Sequence, residues 1–149
     1  MEKERPKVGI GVLVFNDKGK VLFMHRISKH AHNTWAGPGG WLEFGETFEK
    51  AAKREVKEEL NLDIRDIKVV GVTNHIYKDE GKQVVTVFVK ANKFTGEPKI
   101  MEPNKCSKFG WFDLGKLPEP LMPSVKMYLE SNSNFFCDSG LKYKNCHGK

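Results

Sequence analysis

Residues Gly39–Leu62 read GGWLEFGETFEKAAKREVKEELNL, and how this stretch folds decides how the rest is read. Phe48, Ala52, Val56 and Leu60 recur every four positions, the spacing of one helical face. Thr47 is placed to cap the start of that helix, and Asn61 to end it in the left-handed conformation. Inside it, Glu55 and Glu59 stand four apart and Glu55 and Glu58 three apart. Like charges at those spacings repel by roughly 0.2–0.5 kcal/mol per pair. At ~100° per residue, Phe48, Ala51, Ala52 and Val56 define the buried side, and Glu55 falls on its edge with Glu58 and Glu59 flanking it. Crowded, part-buried carboxylates raise one another's pKa unless a cation neutralises them. A hard divalent ion such as Mg²⁺ or Mn²⁺, which takes oxygen ligands, would do so. A solvated helix braced by Lys50, Lys53 and Lys57 is the competing reading of the helix alone. The preceding loop favours the metal, because Gly39, Gly40 and Gly45 let main chain approach a ligand closely.

Working outward, KVGIGVLVFNDKGKVLFMHR (Lys7–Arg26) reads as two strands joined by a hairpin-type turn at Asn16–Gly19. SKHAHNTWAGPGGWLEFGET (Ser28–Thr47) holds too much Gly and Pro for a regular element and is expected to be an ordered loop. After the helix, DIKVVGVTNHIY and KQVVTVFVKANKF look like two strands turning around Asp79–Gly81. KFGWFDL suggests a further short strand, and MPSVKMYLES a final helix beginning near Pro123. Strands before and after a central helix indicate an α+β or α/β layered domain.

The chain has 149 residues, enough for one well-buried domain. Its longest apolar run, VGIGVLVF, falls far short of the ~20 residues needed to cross a bilayer. The charged start, MEKERPK, lacks the apolar region of a secretory signal. Three cysteines, Cys106, Cys137 and Cys146, do not make a disulfide framework. These features point to a cytoplasmic protein with no membrane attachment. The net charge of +6 favours anionic partners in general, yet the lysines are scattered, as on an ordinary solvated surface. Without basic-aromatic interleaving, nucleic acid is not the expected partner.

Gly40, Glu46 and REVKEELNL (Arg54–Leu62) together resemble the Nudix box, GX5EX7REUXEEXGU with U aliphatic. Gly40, Glu46, Arg54, Glu55, Val56, Glu58, Glu59 and Leu62 match; Asn61 stands where the family usually has Gly. The resemblance implies a Nudix fold, an αβα sandwich around a central mixed β-sheet, over residues 1–130. It implies Mg²⁺-dependent (or Mn²⁺-dependent) hydrolysis of a nucleoside diphosphate linked to another group. Carried over by position, Glu55, Glu58 and Glu59 would hold metal, aided by the Gly40 carbonyl. Arg54 would pair with Glu46 in support of the loop. The general base varies across the family, so Glu55, Glu58 and Glu102 all stand as candidates. Many relatives of this kind pair as dimers, so the resemblance makes a homodimer one candidate assembly, which the sequence itself does not fix.

GGWLEFGET, VTVFVKA and the later Trp111–Phe112 look most like the MutT-type branch, which cleaves nucleoside triphosphates, modified ones included, to a monophosphate and pyrophosphate. Hydrolysis of ADP-ribose or a dinucleoside polyphosphate is the alternative, with a non-catalytic nucleotide-binding module as a third reading. Enzymes of the ADP-ribose branch typically carry a proline where this chain has Tyr77. Candidate substrate-binding residues are Thr86, Phe88, Trp111 and the segment Met122–Val125, each equally readable as core. Arg26 would meet a phosphate or cap the sheet edge. The tail, 131–149, is similar to the SEC-C zinc motif: Cys137, Cys146 and His147 fall on three of four ligand positions, with Phe135 at the first. Structural zinc is nearly always four-coordinate, so a metal-free tail is the competing reading.

Overall fold

The computed structural model describes residues 4–131. Cys137, Cys146 and His147 lie outside the described residues, so the zinc expectation has no structural counterpart here.

Two parallel strands, β1 (Lys7–Val14) and β6 (Lys82–Thr95), form the centre of a four-stranded mixed sheet. β4 (Gly39–Trp41) pairs antiparallel with β1, and β5 (Asp63–Tyr77) pairs antiparallel with β6, giving the order β4-β1-β6-β5. A second sheet has the order β3-β2-β7, from β3 (Trp35–Ala36), β2 (Val21–Arg26) and β7 (Cys106–Phe112). Helix α1 (Phe48–Leu60) covers one face of the mixed sheet and α2 (Pro123–Ser131) the other.

This layering follows from the period-two alternation of the central strands. Ile10, Val12 and Val14 join Val87, Val89 and Ala91 beneath Ala51, Ala52, Val56 and Leu60 of α1. Leu13 and Phe88 point the other way, into a core with Val125, Tyr128 and Leu129 of α2. With both faces covered, β1 and β6 read as nearly continuous apolar runs rather than alternating ones. Each fully buried Val or Leu contributes roughly 1.5–3 kcal/mol relative to exposure.

The α1 boundaries are those its sequence specifies. Thr47 Oγ1 accepts from Lys50 N–H at 3.1 Å, and Asn61 adopts φ 61° with its N–H bonded to the Lys57 carbonyl. Phe48 differs from expectation: it is 39% exposed, because the buried stripe begins at Ala51.

Two expectations for the first half are corrected. The Asn16–Gly19 turn forms, with Asn16 Oδ1 accepting from Lys18 and Lys20, but the flanking strands do not continue as a hairpin. Both edges of β1 are already taken by β4 and β6, so β2 crosses into the second sheet and pairs with β7. The Ser28–Thr47 stretch is not wholly irregular, since it contains β3 and β4. Gly37 and Gly39 allow this: a Cβ on either would overlap the carbonyl of Val12 or Ile10.

Candidate active site

The acidic end of the site is built on α1. Arg54 organises it, donating from Nε to Glu46 at 2.5 Å and from Nη1 to Glu55 at 2.8 Å. Its Nη2 also donates to Glu46 at 2.9 Å and to the Trp41 carbonyl at 3.1 Å, which ties β4 to the helix. Such a fork-shaped pairing is specific to guanidinium. Arg54 holds the Glu46 carboxyl down at about 2, and the pairing raises its own pKa in turn.

The three helix glutamates are not equivalent. Glu58 is half-exposed and touches only the outer side of Arg54, at 3.5 Å. Glu55 lies against Gly40, where a Cβ would overlap its carboxylate, and burial raises its pKa despite Arg54. Glu59 is the most deeply set: burial pushes its pKa up to about 8, although Gly39 N–H donates to it at 3.0 Å. Glu102, in the loop before β7, adds negative potential to both Glu55 and Glu59. Its own carboxylate stands 3.6 Å from Lys105 Nζ.

Among the described residues, no three acidic, His or Cys groups lie close enough to enclose a metal ion as they stand. The donor set nonetheless fits a hard dication. Glu55 and Glu59 are part-buried oxygen donors whose negative charge is under-compensated, and Gly40, without a side chain, lets the Glu55 carboxylate lie against β4. Glu58 would have to swing away from Arg54 to join them.

Beside these carboxylates opens a cavity of about 290 Å³. It runs from Glu55, Glu59 and Arg26 past Gly39–Trp41 to the α2 side of the sheet, where Gly9, Thr86, Phe88, Met122 and Ser124 line it. That volume lies at the small end of ligand pockets, with the usual mixture of apolar wall and few polar atoms. At its rim the Trp41 ring carries Lys7 Nζ at 5.1 Å and Lys82 Nζ at 5.9 Å, with the His30 ring 5.7 Å away. His30 also bonds Glu80 at 2.6 Å, and Glu80 receives Ala31 N–H, which clips the loop after β2 to the β5–β6 turn.

Thr86, Phe88 and the Met122–Val125 segment thus meet Glu55 and Glu59 around one cavity. Trp111 does not: it stacks on Phe94 at 5.5 Å and packs into the α1-side core. Arg26 borders the cavity, but its guanidinium is engaged with the His30 carbonyl and Ser28 Oγ, where it shapes the loop. Tyr77 is buried and donates to Ser124 Oγ at 3.3 Å. Sequence reasoning missed Trp41, His30, Lys82 and Gly9. Glycines inside an otherwise β-branched strand (VGIGVLV) were the available signal, since such glycines mark close approach of a ligand or another backbone.

Comparison with known proteins shows the family. The NUDIX domain model matches residues 5–130, and the chain belongs to the Nudix hydrolase family. It is similar to a MutT NUDIX hydrolase from Burkholderia pseudomallei of known structure: 33% identical, TM-score 0.81, covering 87% of this chain and 99% of that one. It is 32% identical over 114 residues to an ADP-ribose pyrophosphatase of Methanocaldococcus jannaschii, spanning 76% of this chain and 66% of the relative. Over 73 residues it is 36% identical to an RNA pyrophosphohydrolase of Acinetobacter baylyi, spanning 49% of this chain and 42% of that one. The matches therefore cover less than two thirds of both relatives' lengths. No helix among the described residues is long and apolar enough to cross a membrane.

Proposed function

We propose that residues 1–130 hydrolyse the phosphoanhydride of a nucleoside triphosphate, giving a nucleoside monophosphate and pyrophosphate. The observation that carries this reading is one cavity that joins a largely apolar α2-side slot, with Lys82 and Arg26 on its border, to Glu55 and Glu59. Glu55, Glu59 and the Gly40 carbonyl, with Glu58 after rotation, would hold Mg²⁺ or Mn²⁺. Bound there, the ion would neutralise charge on the phosphate oxygens and on the departing phosphate.

The chain's own residues supply the rest. The α2-side slot holds the nucleoside, while the side-chain-free Gly39–Gly40 segment lets the phosphate chain pass over β4 to the α1 face. Water attacks one phosphorus, the bridging P–O bond breaks, and a carboxylate accepts the water's proton. Glu55 is the acceptor proposed here: it borders the cavity beside Gly40, and burial raises its pKa above the ordinary carboxylate value. Arg54 and Glu46 act by orientation, holding β4 and α1 in register.

The test is hydrolysis of a nucleotide panel with and without Mg²⁺, read as pyrophosphate plus nucleoside monophosphate from triphosphates and as two monophosphates from ADP-ribose. ADP-ribose and 5′-triphosphorylated RNA belong on the panel, because relatives are named for them. Mg²⁺-dependent turnover of triphosphates supports the reading; turnover of ADP-ribose alone overturns it.

A further inference from the structure

At the mouth of the cavity, cations gather around one indole. Lys7 Nζ stands 5.1 Å and Lys82 Nζ 5.9 Å from the centroid of the Trp41 ring, whose neighbour on the loop after β2 is the His30 ring at 5.7 Å. Lys7 opens β1 and Lys82 opens β6. The parallel pairing of those strands, with Lys7 opposite Val84, brings both ammonium groups to the same end of the sheet. Neither lysine forms an ion pair among the described residues. Glu80 feels the charge of Lys82, but its carboxylate is engaged by His30 Nδ1 at 2.6 Å and by Ala31 N–H at 2.9 Å. Two like charges held beside one ring without a counter-ion repel each other, and an arriving anion relieves that repulsion. An exposed cation–π contact is weak enough to be exchanged for a charge-assisted bond to a phosphate oxygen.

The place of this cluster names what would arrive. Trp41, His30 and Lys82 border the cavity between Glu55 and Glu59 at one end and the α2-side slot at the other. A nucleotide spread along it, phosphates by the carboxylates and nucleoside in the slot, sets its sugar beside Trp41. We propose that Lys7 and Lys82, gathered around Trp41, form a second anion site that takes a phosphate carried on the sugar's 2′- or 3′-oxygen. The preferred substrate then bears a phosphate there in addition to its 5′ chain. The inference rests on the nucleotide reading above and narrows the substrate class of that site. A free nucleotide with a second phosphate monoester offers this chemistry, and so does the first internucleotide linkage of a 5′-triphosphorylated RNA.

Binding tests the site without turnover, using adenosine 5′-monophosphate and adenosine 2′,5′- and 3′,5′-bisphosphate as probes in the absence of Mg²⁺. Wild type is expected to bind at least one bisphosphate about tenfold more tightly than the monophosphate, the scale of a hydrogen bond to a charged group. That ratio should shrink as salt is raised. Lys7→Gln and Lys82→Gln should each lower it, and the double variant should bring it to about one. Lys7→Arg and Lys82→Arg, which keep the charge, should retain most of it. Kinetics with Mg²⁺ then separate the two sources. A nucleoside 5′-triphosphate is compared with its 3′-phosphorylated form and with a 5′-triphosphorylated dinucleotide. A rise in kcat/KM of about tenfold for the monoester alone assigns the site to a free nucleotide, and a rise for the dinucleotide assigns it to an RNA end.

Equal affinity for monophosphate and bisphosphates in wild type, or a preference that survives in the double glutamine variant, would overturn the proposal. If bisphosphates are preferred but no triphosphate is cleaved, the hydrolase reading fails and this inference stands. If triphosphates are cleaved with no gain from either added phosphate, this inference fails and the hydrolase reading stands.

Discussion

The two faces of the central sheet are built on opposite electrostatic plans. On the α1 face, charge is concentrated: one guanidinium binds three carboxylates, and Glu59 sits deep enough to be pushed up to about 8. On the α2 face, the cavity floor carries two hydroxyls set among Gly9, Phe88 and Val125, and its charge is confined to Lys82 at the border. The contrast suggests a division of labour. On the proposed reading, the face that meets phosphate and a dication carries the crowded carboxylates, and the face that takes the nucleoside carries hydroxyls. β4 lies between them, tied to α1 through the Trp41 carbonyl and to β1 through its register with Gly9.

The largest effect should come from the charged face. Glu55→Gln is expected to lower kcat by about 10²–10⁴-fold if that carboxylate takes the proton. Nucleotide binding measured without Mg²⁺ should change far less. A loss confined to KM would move the base to Glu58 or Glu102.

The Arg54 hub comes next. Arg54→Ala should destabilise the fold at pH 7, because it removes the tie between β4 and α1 and leaves Glu46 without its partner. Glu46 is held at about 2 against an ordinary 4.5. Its contribution is therefore fully present above pH 4.5 and lost as pH falls toward 2. Denaturant unfolding of wild type and Arg54→Ala should show a gap that narrows across that window. A gap that widens in acid would contradict the pairing.

On the α2 face, two glycines of β1 sharpen the contrast further. A Cβ at Gly11 would come within 2.7 Å of the Phe88 ring, so Gly11→Ala should cost about 1–3 kcal/mol of stability by overpacking. At Gly9 the same Cβ meets only ordinary contacts of 3.6–3.7 Å. Gly9→Ala should therefore fold with stability within about 0.5 kcal/mol of wild type. It should raise KM for triphosphates by narrowing the slot before Thr86. Thermal melts and steady-state kinetics on the pair would show whether β1 serves the fold at one glycine and the ligand at the next.

How far the sequence could be read follows the same division. Thr47, the four-residue apolar repeat and Asn61 are specified by local spacing and could be read from one continuous stretch, while the Arg54–Glu46 pairing came from the family resemblance. The rank order among the glutamates could not. Glu59, rather than Glu55, is buried deepest, because depth depends on how β4 and the Glu102 loop close over the helix.

The α2-face cavity draws its lining from β1, β6 and α2, which are far apart in the chain and meet only through the parallel β1–β6 pairing. No local pattern separates Phe88, which borders the cavity, from Trp111, which packs against Phe94; both are aromatics in strands. The β1–β2 hairpin failed for a similar reason. Its turn chemistry is local and correct, while strand pairing is settled by competition for the edges of β1.

The two faces act as one site only if what binds on the α2 side is drawn tighter by a cation held on the α1 side. Titrating a non-hydrolysable triphosphate into wild type and Glu59→Gln, with and without Mg²⁺, measures that coupling directly. The expected result is at least about tenfold tighter binding with Mg²⁺ in wild type, about 1.4 kcal/mol of coupling, and little or none in Glu59→Gln. Equal affinity with and without Mg²⁺ in wild type, or full coupling surviving in Glu59→Gln, would contradict the account.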